Sequence, residues 1–436
     1  MKTWIRRIVA LVLVAALFLS LQELVMPKYA SSLFEGSFTS AYYDEKADHQ
    51  VLMIGDCELY ENIDTMTLWD KYGITSYIRG NAQQLPWQSY YLLKEALKKD
   101  HPDVVIYSVL PLKYNEPQKE EYNRLTLENM KWSLDKVAAI KASMTEKEHF
   151  LDYVFPILRY HTRITQLTEE DWKYYGQKVN HTIAGYYMRI DTAPYELGTW
   201  GEENDVGSYT ATMKAAMEEK TSEETSVEDL GWSADADDED SGWSAEADDE
   251  DTGWSADDED SWSAEAEDED SDGAADDATK IISDEDDETD EEVEPLGDNA
   301  MYYLDKIRSL CEEKGVKLLL MKAPSVSPMW YDEWEQQIVK YADTYGLNYI
   351  NYLKLVDEIG IDFATDTYDE GLHMNYAGAI KCADYLGDYL VTNYQLKDMH
   401  SDSKISKIWG EKAEFQQELI QKQESELEEF GKILSK

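Results

Sequence analysis

The chain has 436 residues, enough for one large α/β domain with appendages or for two modest domains. Acidic residues number 91 against 40 basic ones, and the formal net charge is -51. That balance excludes nucleic acid as a partner and excludes docking on anionic lipid through basic patches.

Lys2, Arg6 and Arg7 precede an apolar run from Ile8 to Leu21, which extends to about Met26 with Ser20, Gln22 and Glu23 interrupting. Cations followed by an apolar run have the shape of an export signal. The nearest small-residue cleavage cluster, Ala30-Ser31-Ser32, lies beyond Pro27 and Lys28. The run reaches the ~20 residues that a span needs. Residues 1–30 are therefore expected to form a cytoplasmic N-terminus and an uncleaved signal-anchor helix. The chain would be single-pass in the cell membrane, with its main domain extracytoplasmic by the positive-inside rule. Residues 31–48 are polar and irregular and read as a stalk.

His49-Gln50-Val51-Leu52-Met53-Ile54-Gly55-Asp56-Cys57-Glu58 opens the domain. An apolar run closed by glycine predicts a buried strand feeding a tight turn. Glu58 to Tyr72 should be loop and helix, ending at Gly73. Ile74–Ile78 predicts a second strand closed by Arg79-Gly80-Asn81, and 83–99 has helical periodicity. Asp103–Leu110 predicts a third strand, apolar throughout and hence central. This rhythm requires a parallel sheet with right-handed crossovers. Residues 111–195 are aromatic and mixed in charge. Helices are expected over 122–144 and 148–167, as a helical excursion or lid, with a short strand within 185–195.

Residues 221–298 differ in kind. Units built on Gly-Trp-Ser-Ala place tryptophans at Trp232, Trp243, Trp254 and Trp262, among about three dozen acidic residues and a single Lys280. Self-repulsion and scarce apolar surface predict a disordered acidic insertion, spanning 211–298. Its spacing lacks the glycine turn and terminal Glu of a Ca²⁺-binding loop, so no metal site is expected there. The domain, begun in 49–210, resumes over 299–400. Helix over 299–315, strand over 316–321, helix over 329–346, strand over 347–350 and helix over 375–394 are predicted. Residues 401–436 read as a charged helix with little apolar face, packing weakly or projecting.

Cys57, Cys311 and Cys382 are the three cysteines, too few for a disulfide framework. Cys311 and Cys382 sit in helical patterns, where they could pair or lie buried. Cys57 is left over at a strand end, where open α/β sheets place their sites. A nucleophile needs a base, and the base needs an orienting group. His373, in Asp369-Glu370-Gly371-Leu372-His373-Met374-Asn375, opens a helix after the final strand. A carboxylate three or four residues earlier can fold back on its ring. Asp56 and Glu58 flank Cys57 and should raise its pKa. Trp87, Trp330, Tyr331 and Trp334 lie near predicted strand ends, where aromatics are more often core than sugar platforms.

Gly55-Asp56-Cys57, Gly80-Asn81 and Asp369 through Gly378, in this order, resemble the SGNH (GDSL-type) hydrolase and acyltransferase superfamily, over about residues 49–110 and 299–395. Its membrane-anchored extracytoplasmic variants share the layout. The resemblance implies a three-layer α/β/α, flavodoxin-like parallel sheet. It implies Cys57 as nucleophile in place of serine, His373 as base, and Asp369 or Glu370 as orienter, Asp369 being favoured because the intervening glycine lets the loop tuck. The oxyanion would be held by the N–H groups of Cys57 and Gly80. The third-strand Gly-x-Asn-Asp block is absent, leaving Asn115 as stand-in. No cofactor is implied. The expected function is ester hydrolysis or O-acyl transfer on a cell-envelope glycan or teichoic-type polymer, with that polysaccharide or an acyl donor as partner. The alternative is a catalytically degenerate surface binding or scaffolding protein.

Overall fold

Short apolar runs become strands where they can be covered on both faces. In the computed structural model, which describes residues 2–27, 38–46, 49–176, 182–195, 293–326 and 330–435, these are β1 (Val51–Gly55), β2 (Ser76–Gly80), β3 (Val104–Ser108), β4 (Lys317–Lys322) and β5 (Asn348–Asn351). All pair in parallel in the order β2-β1-β3-β4-β5. Residues 218–292 are set apart from the rest of the chain. They lie outside the described residues, and with them the expectation for the acidic repeat.

The strand order changes direction between β1 and β3. Their carboxyl ends then open a crevice where sheets of this kind place ligands. Gly55 pairs with Gly80 and Ile54 with Tyr107, so Asp56 and Asn81 leave the sheet at one edge, beside Ser108 at the end of β3.

At the N-terminus, α1 (Lys2–Val25) carries an apolar window of mean hydropathy 2.5, long enough to cross a membrane. A four-residue helix, α2 (Phe38–Ala41), precedes the sheet. Cys57–Tyr60 is a single turn, α3, and α4 (Thr65–Tyr72) follows behind an Asp64 cap. α5 (Pro86–Ala96) joins β2 to β3. The excursion is more broken than its periodicity predicts, with α6 (Glu120–Leu127), α7 (Leu134–Ser143), α8 (Phe150–Val154), α9 (Ile157–Tyr160) and α10 (Glu169–Lys173). The single helix expected over 122–144 divides because Ser133 turns extended and accepts from the N–H of Lys136 as a new N-cap.

Beyond the insertion come α11 (Asp298–Lys314), α12 (Asp332–Tyr345), α13 (Val356–Ile359), α14 (Tyr376–Tyr394) and α15 (Ser403–Phe430). α4 packs on α14, and α5 packs on both α7 and α11. Trp87 and Trp330 are core residues, and Cys311 and Cys382 are buried and unpaired.

The C-terminal helix does not project. Trp409, Gln416 and Gln423 recur every seventh residue on α15 and all are buried. Trp409 stacks on Trp69, with ring centroids 5.4 Å apart. Gln416 donates to Asp64 at 2.9 Å and Gln423 to the Met188 carbonyl at 3.0 Å. Two of the three seats are polar, so the apolar pattern understates the packing.

The strand expected within 185–195 is instead a strap, with one isolated bridge between Ile183 and Tyr186. Ile78 of edge strand β2 donates to the Ala184 carbonyl at 2.9 Å, which satisfies an edge group. Gly185 follows at φ +84, where a Cβ would stand 1.9 Å from the Ile78 carbonyl oxygen, so only glycine fits. Farther along, Glu370 donates to the Ala193 carbonyl and Tyr376 to the Arg189 carbonyl. The strap thus ties β2 to the loop that carries His373.

Candidate functional site

The turn after β1 is set by close packing. A Cβ on Gly55 would stand 2.6 Å from the Ser108 Cβ, so β1 approaches β3 only with glycine there. Asp56 then takes the N-cap position of α3 without a side-chain cap bond, and its carboxylate accepts from the Ser108 hydroxyl at 3.3 Å. Cys57 is the first residue of α3. One turn of helix offers little macrodipole to lower a thiol pKa.

The His373 loop folds onto this turn. Glu370 and Gly371 have φ of +59 and +92, and Val326 donates to the Gly371 carbonyl at 2.9 Å. One carboxylate, that of Asp369, accepts from the His373 backbone N–H at 2.7 Å and holds the ring Nδ1 at 2.6 Å. Glu370 is the exposed corner of the turn. His373 lies close enough to Cys57 to act on the thiol's ionisation. With Nδ1 on Asp369, Nε2 is the ring nitrogen not engaged by that carboxylate.

A second carboxylate faces the same ring. Glu61 lies four residues after Cys57, is buried, and has an oxygen 3.7 Å from His373 Nδ1. The Tyr368 hydroxyl donates to that oxygen, its ring stacks with His373, and the Arg189 guanidinium lies over the Tyr368 ring at 5.0 Å. Asn62, fully buried, accepts from the Met374 N–H at 2.6 Å and donates to the Ser325 hydroxyl at 3.1 Å. It clamps the end of α3 to the histidine loop and to the turn after β4.

Glu58 points away from this pair. Its carboxylate is buried against Lys322 at the end of β4, 2.5 Å from Nζ, which also donates to the carbonyls of Ala323 and Ser325. Lys113, at the end of the 3-10 turn Leu110–Lys113, lies where its charge interacts with Asp56, Cys57 and Glu58. Asn115, the stand-in that the resemblance suggested for the oxyanion, sits at the start of α11. Its side-chain oxygen caps α11, accepting from the N–H groups of Asn299 at 2.9 Å and Ala300 at 3.3 Å. Gly80 ends β2 opposite Gly55, next to the Asp56 carbonyl.

The electrostatics follow from this enclosure. Desolvation pushes the Cys57 thiol up to about 11; His373 pulls it down, and Asp56 and Glu61 add to the rise. Desolvation works to lower the His373 pKa, but Glu61, then Cys57 and Asp369, outweigh it and hold the ring well above the usual histidine range. Burial, helped by Glu58 and opposed by Lys113, raises Asp56 to about 7. Both shifts favour an imidazolium beside a thiol. Loss of one proton yields a charged nucleophile with a proton donor beside it, or a neutral thiol beside a base.

Of the residues expected from sequence, the structure brings Cys57, His373 and Asp369 together, with Gly80 at the neighbouring strand end. Sequence reading passed over Glu61, Asn62, Tyr368, Lys113 and Lys322. Glu61 carried a signal, the i, i+4 spacing from Cys57 that shares a helical face. Lys322 carried another, a cation ending an apolar central strand. Two shallow clefts, one on α12 and one at the amino ends of β4 and β5, are lined by none of these residues. Among the described residues no cluster of His, Cys, Asp or Glu is arranged to hold a metal ion. Compared with known proteins, the chain matches no family model, no curated protein and no solved structure.

Proposed function

We propose that the protein is a membrane-anchored, extracytoplasmic SGNH-like acyl-ester hydrolase or O-acyltransferase acting on a cell-envelope glycan or teichoic-type polymer. The observation that carries this reading is His373, oriented by Asp369, brought beside Cys57 at the carboxyl edge of a parallel sheet. The strand order supports a flavodoxin-like sheet. The β1-to-β2 and β2-to-β3 steps run in opposite directions, so right-handed crossovers place α4 and α5 on opposite faces, as in a three-layer α/β/α fold. α1 supports anchoring.

In this mechanism the Cys57 thiol first loses its proton to solvent, and the resulting thiolate attacks the ester carbonyl carbon. The ester C–O bond breaks, a thioester forms, and the His373 Nε2 proton passes to the leaving alkoxide. Water or an acceptor hydroxyl then gives its proton to Nε2 and attacks the thioester, releasing the Cys57 thiolate. Asp369 keeps the ring oriented throughout. Lys113 is the cation of the third-strand loop, placed to steady negative charge on the carbonyl oxygen where the resemblance puts an Asn.

Intact mass after exposure to an activated ester tests the reading. A single acyl adduct on the native chain that disappears in Cys57→Ala supports it. No adduct, or equal adducts on both, removes it. The second reading, a degenerate SGNH-fold binding or scaffolding protein, is favoured by the burial of the thiol, which raises it to about 11 beside a His373 held toward its charged form.

A further inference from the structure

We propose that α8–α10 form a second membrane-contact element, seated in the headgroup–acyl boundary of the bilayer that α1 crosses. The inference rests on the reading of α1 as a span. Only 6% of the apolar window in α1 is buried by the rest of the protein, so its surface needs another cover.

α9, the 3-10 turn His161–Thr165 and α10 all pack against α1. Two contacts fix their depth. Arg163 Nη1 donates to the Val25 carbonyl at 2.7 Å, closing the C-terminal end of α1. Phe155 meets Phe18 edge to face, with centroids 6.1 Å apart. Phe18 precedes Val25 by seven residues, and at about 1.5 Å per residue that is roughly 10 Å along the helix. If the end of α1 lies at the headgroups with Arg163, Phe155 lies among acyl chains. Interfacial helices bury their apolar faces to about 5–10 Å.

The outer surface of the element matches that depth. Leu151, Phe155, Leu158, Ile164 and Trp172 are between 41% and 63% exposed, an unusual density for a surface in water. Trp172 suits the interface, where tryptophan concentrates. The two arginines are already engaged, Arg163 with Asp171 at 2.9 Å and Arg159 with Glu120 at 3.0 Å, and Lys173 lies over the Tyr174 ring at 4.8 Å. The contact is therefore apolar and calls for no anionic lipid. The occupant is the bilayer because α1, itself clad in lipid, runs alongside the same face.

The full chain in a Cys57→Ala background, in phosphatidylcholine vesicles, provides the test. An environment-sensitive fluorophore is attached at Leu158→Cys, with Trp172→Cys as an independent second site. Leu11→Cys reports the span, and Val391→Cys on α14 reports a surface remote in sequence. The labels at 158 and 172 should be quenched several-fold by lipids brominated near the headgroup and shielded from iodide, and the label at 391 should behave as in water. Labels at 158 and 172 in water with the label at 11 in the bilayer overturn the inference and leave the anchor standing. A label at 11 in water removes both. Shielding that vanishes on dilution within the membrane, without lipid quenching, assigns the face to a second copy and also overturns the inference.

Discussion

The Glu61 carboxylate lies 3.7 Å from Nδ1 of His373, one turn beyond Cys57 on the segment that carries the sulfur. The ring already has Asp369 on the same nitrogen. Two carboxylates on one imidazole favour its charged form, Glu61 through its charge and Asp369 through both charge and a hydrogen bond. Glu61 therefore helps set when the pair sheds its proton. Glu61→Gln should move the His373 titration, followed by imidazole NMR, to lower pH. The acid limb of any ester hydrolysis should move with it while Asp369 still orients the ring. An unchanged midpoint would show that Asp369 alone governs the histidine.

Cys57 should be a slow thiol at neutral pH. A free cysteine titrates near 8.5, and this one is pushed up to about 11. The thiolate fraction at pH 7 should be lower by about two to three orders of magnitude, and alkylation slower in rough proportion. Iodoacetamide rates measured from pH 6 to 11 should climb steadily without a plateau below pH 9. A plateau near pH 7 would reveal a preformed thiolate–imidazolium pair and strengthen the case for catalysis.

Much of this was written in the chain. Val51–Ile54, Val104–Tyr107 and Leu318–Met321 are covered on both faces, so each appears as an unbroken apolar run. Asp369 and His373 are close in sequence, and a local loop is enough to join them. Asn115 could not be read because its partner, the start of α11, lies across the acidic insertion. α15 hid its packing for another reason. Gln416 and Gln423 are buried through hydrogen bonds, and hydropathy carries no trace of those. Glu58 beside Cys57 suggested a repulsive neighbour, yet α3 turns it toward Lys322, a residue supplied by a distant strand.

That ion pair should be costly to break. Glu58 and Lys322 are each no more than 1% exposed. Lys322→Met leaves a carboxylate buried without its cation and should cost about 3–5 kcal/mol in urea unfolding. Glu58→Leu combined with Lys322→Met removes both charges and should recover most of that loss. If the double variant is as unstable as the single, the lysine acts through its bonds to the Ala323 and Ser325 carbonyls rather than through Glu58.

A second buried cluster gives stability a pH window. His49 holds Asp100 at 2.8 Å through Nδ1 and faces Glu45 at 3.6 Å, and Glu45 is paired in turn with Lys412 of α15 at 2.8 Å. Burial works to lower the His49 pKa, but the two carboxylates raise it above its usual 6.5. Its contribution is therefore complete below about 6.5 and is lost as pH rises through the higher folded value. Glu45 behaves in the opposite sense. Burial opposes its ionisation, but His49 and Lys412 bring it down to about 2, so its contribution is present above about 4.5 and is lost as pH falls toward 2. The cluster stabilises most between about pH 4.5 and 6.5. Thermal unfolding of the native chain and of His49→Gln should differ most near pH 5.5 and converge at alkaline pH. A difference constant from pH 5 to 9 would mean that His49 stays neutral and acts by packing against Tyr42 and Tyr77 alone.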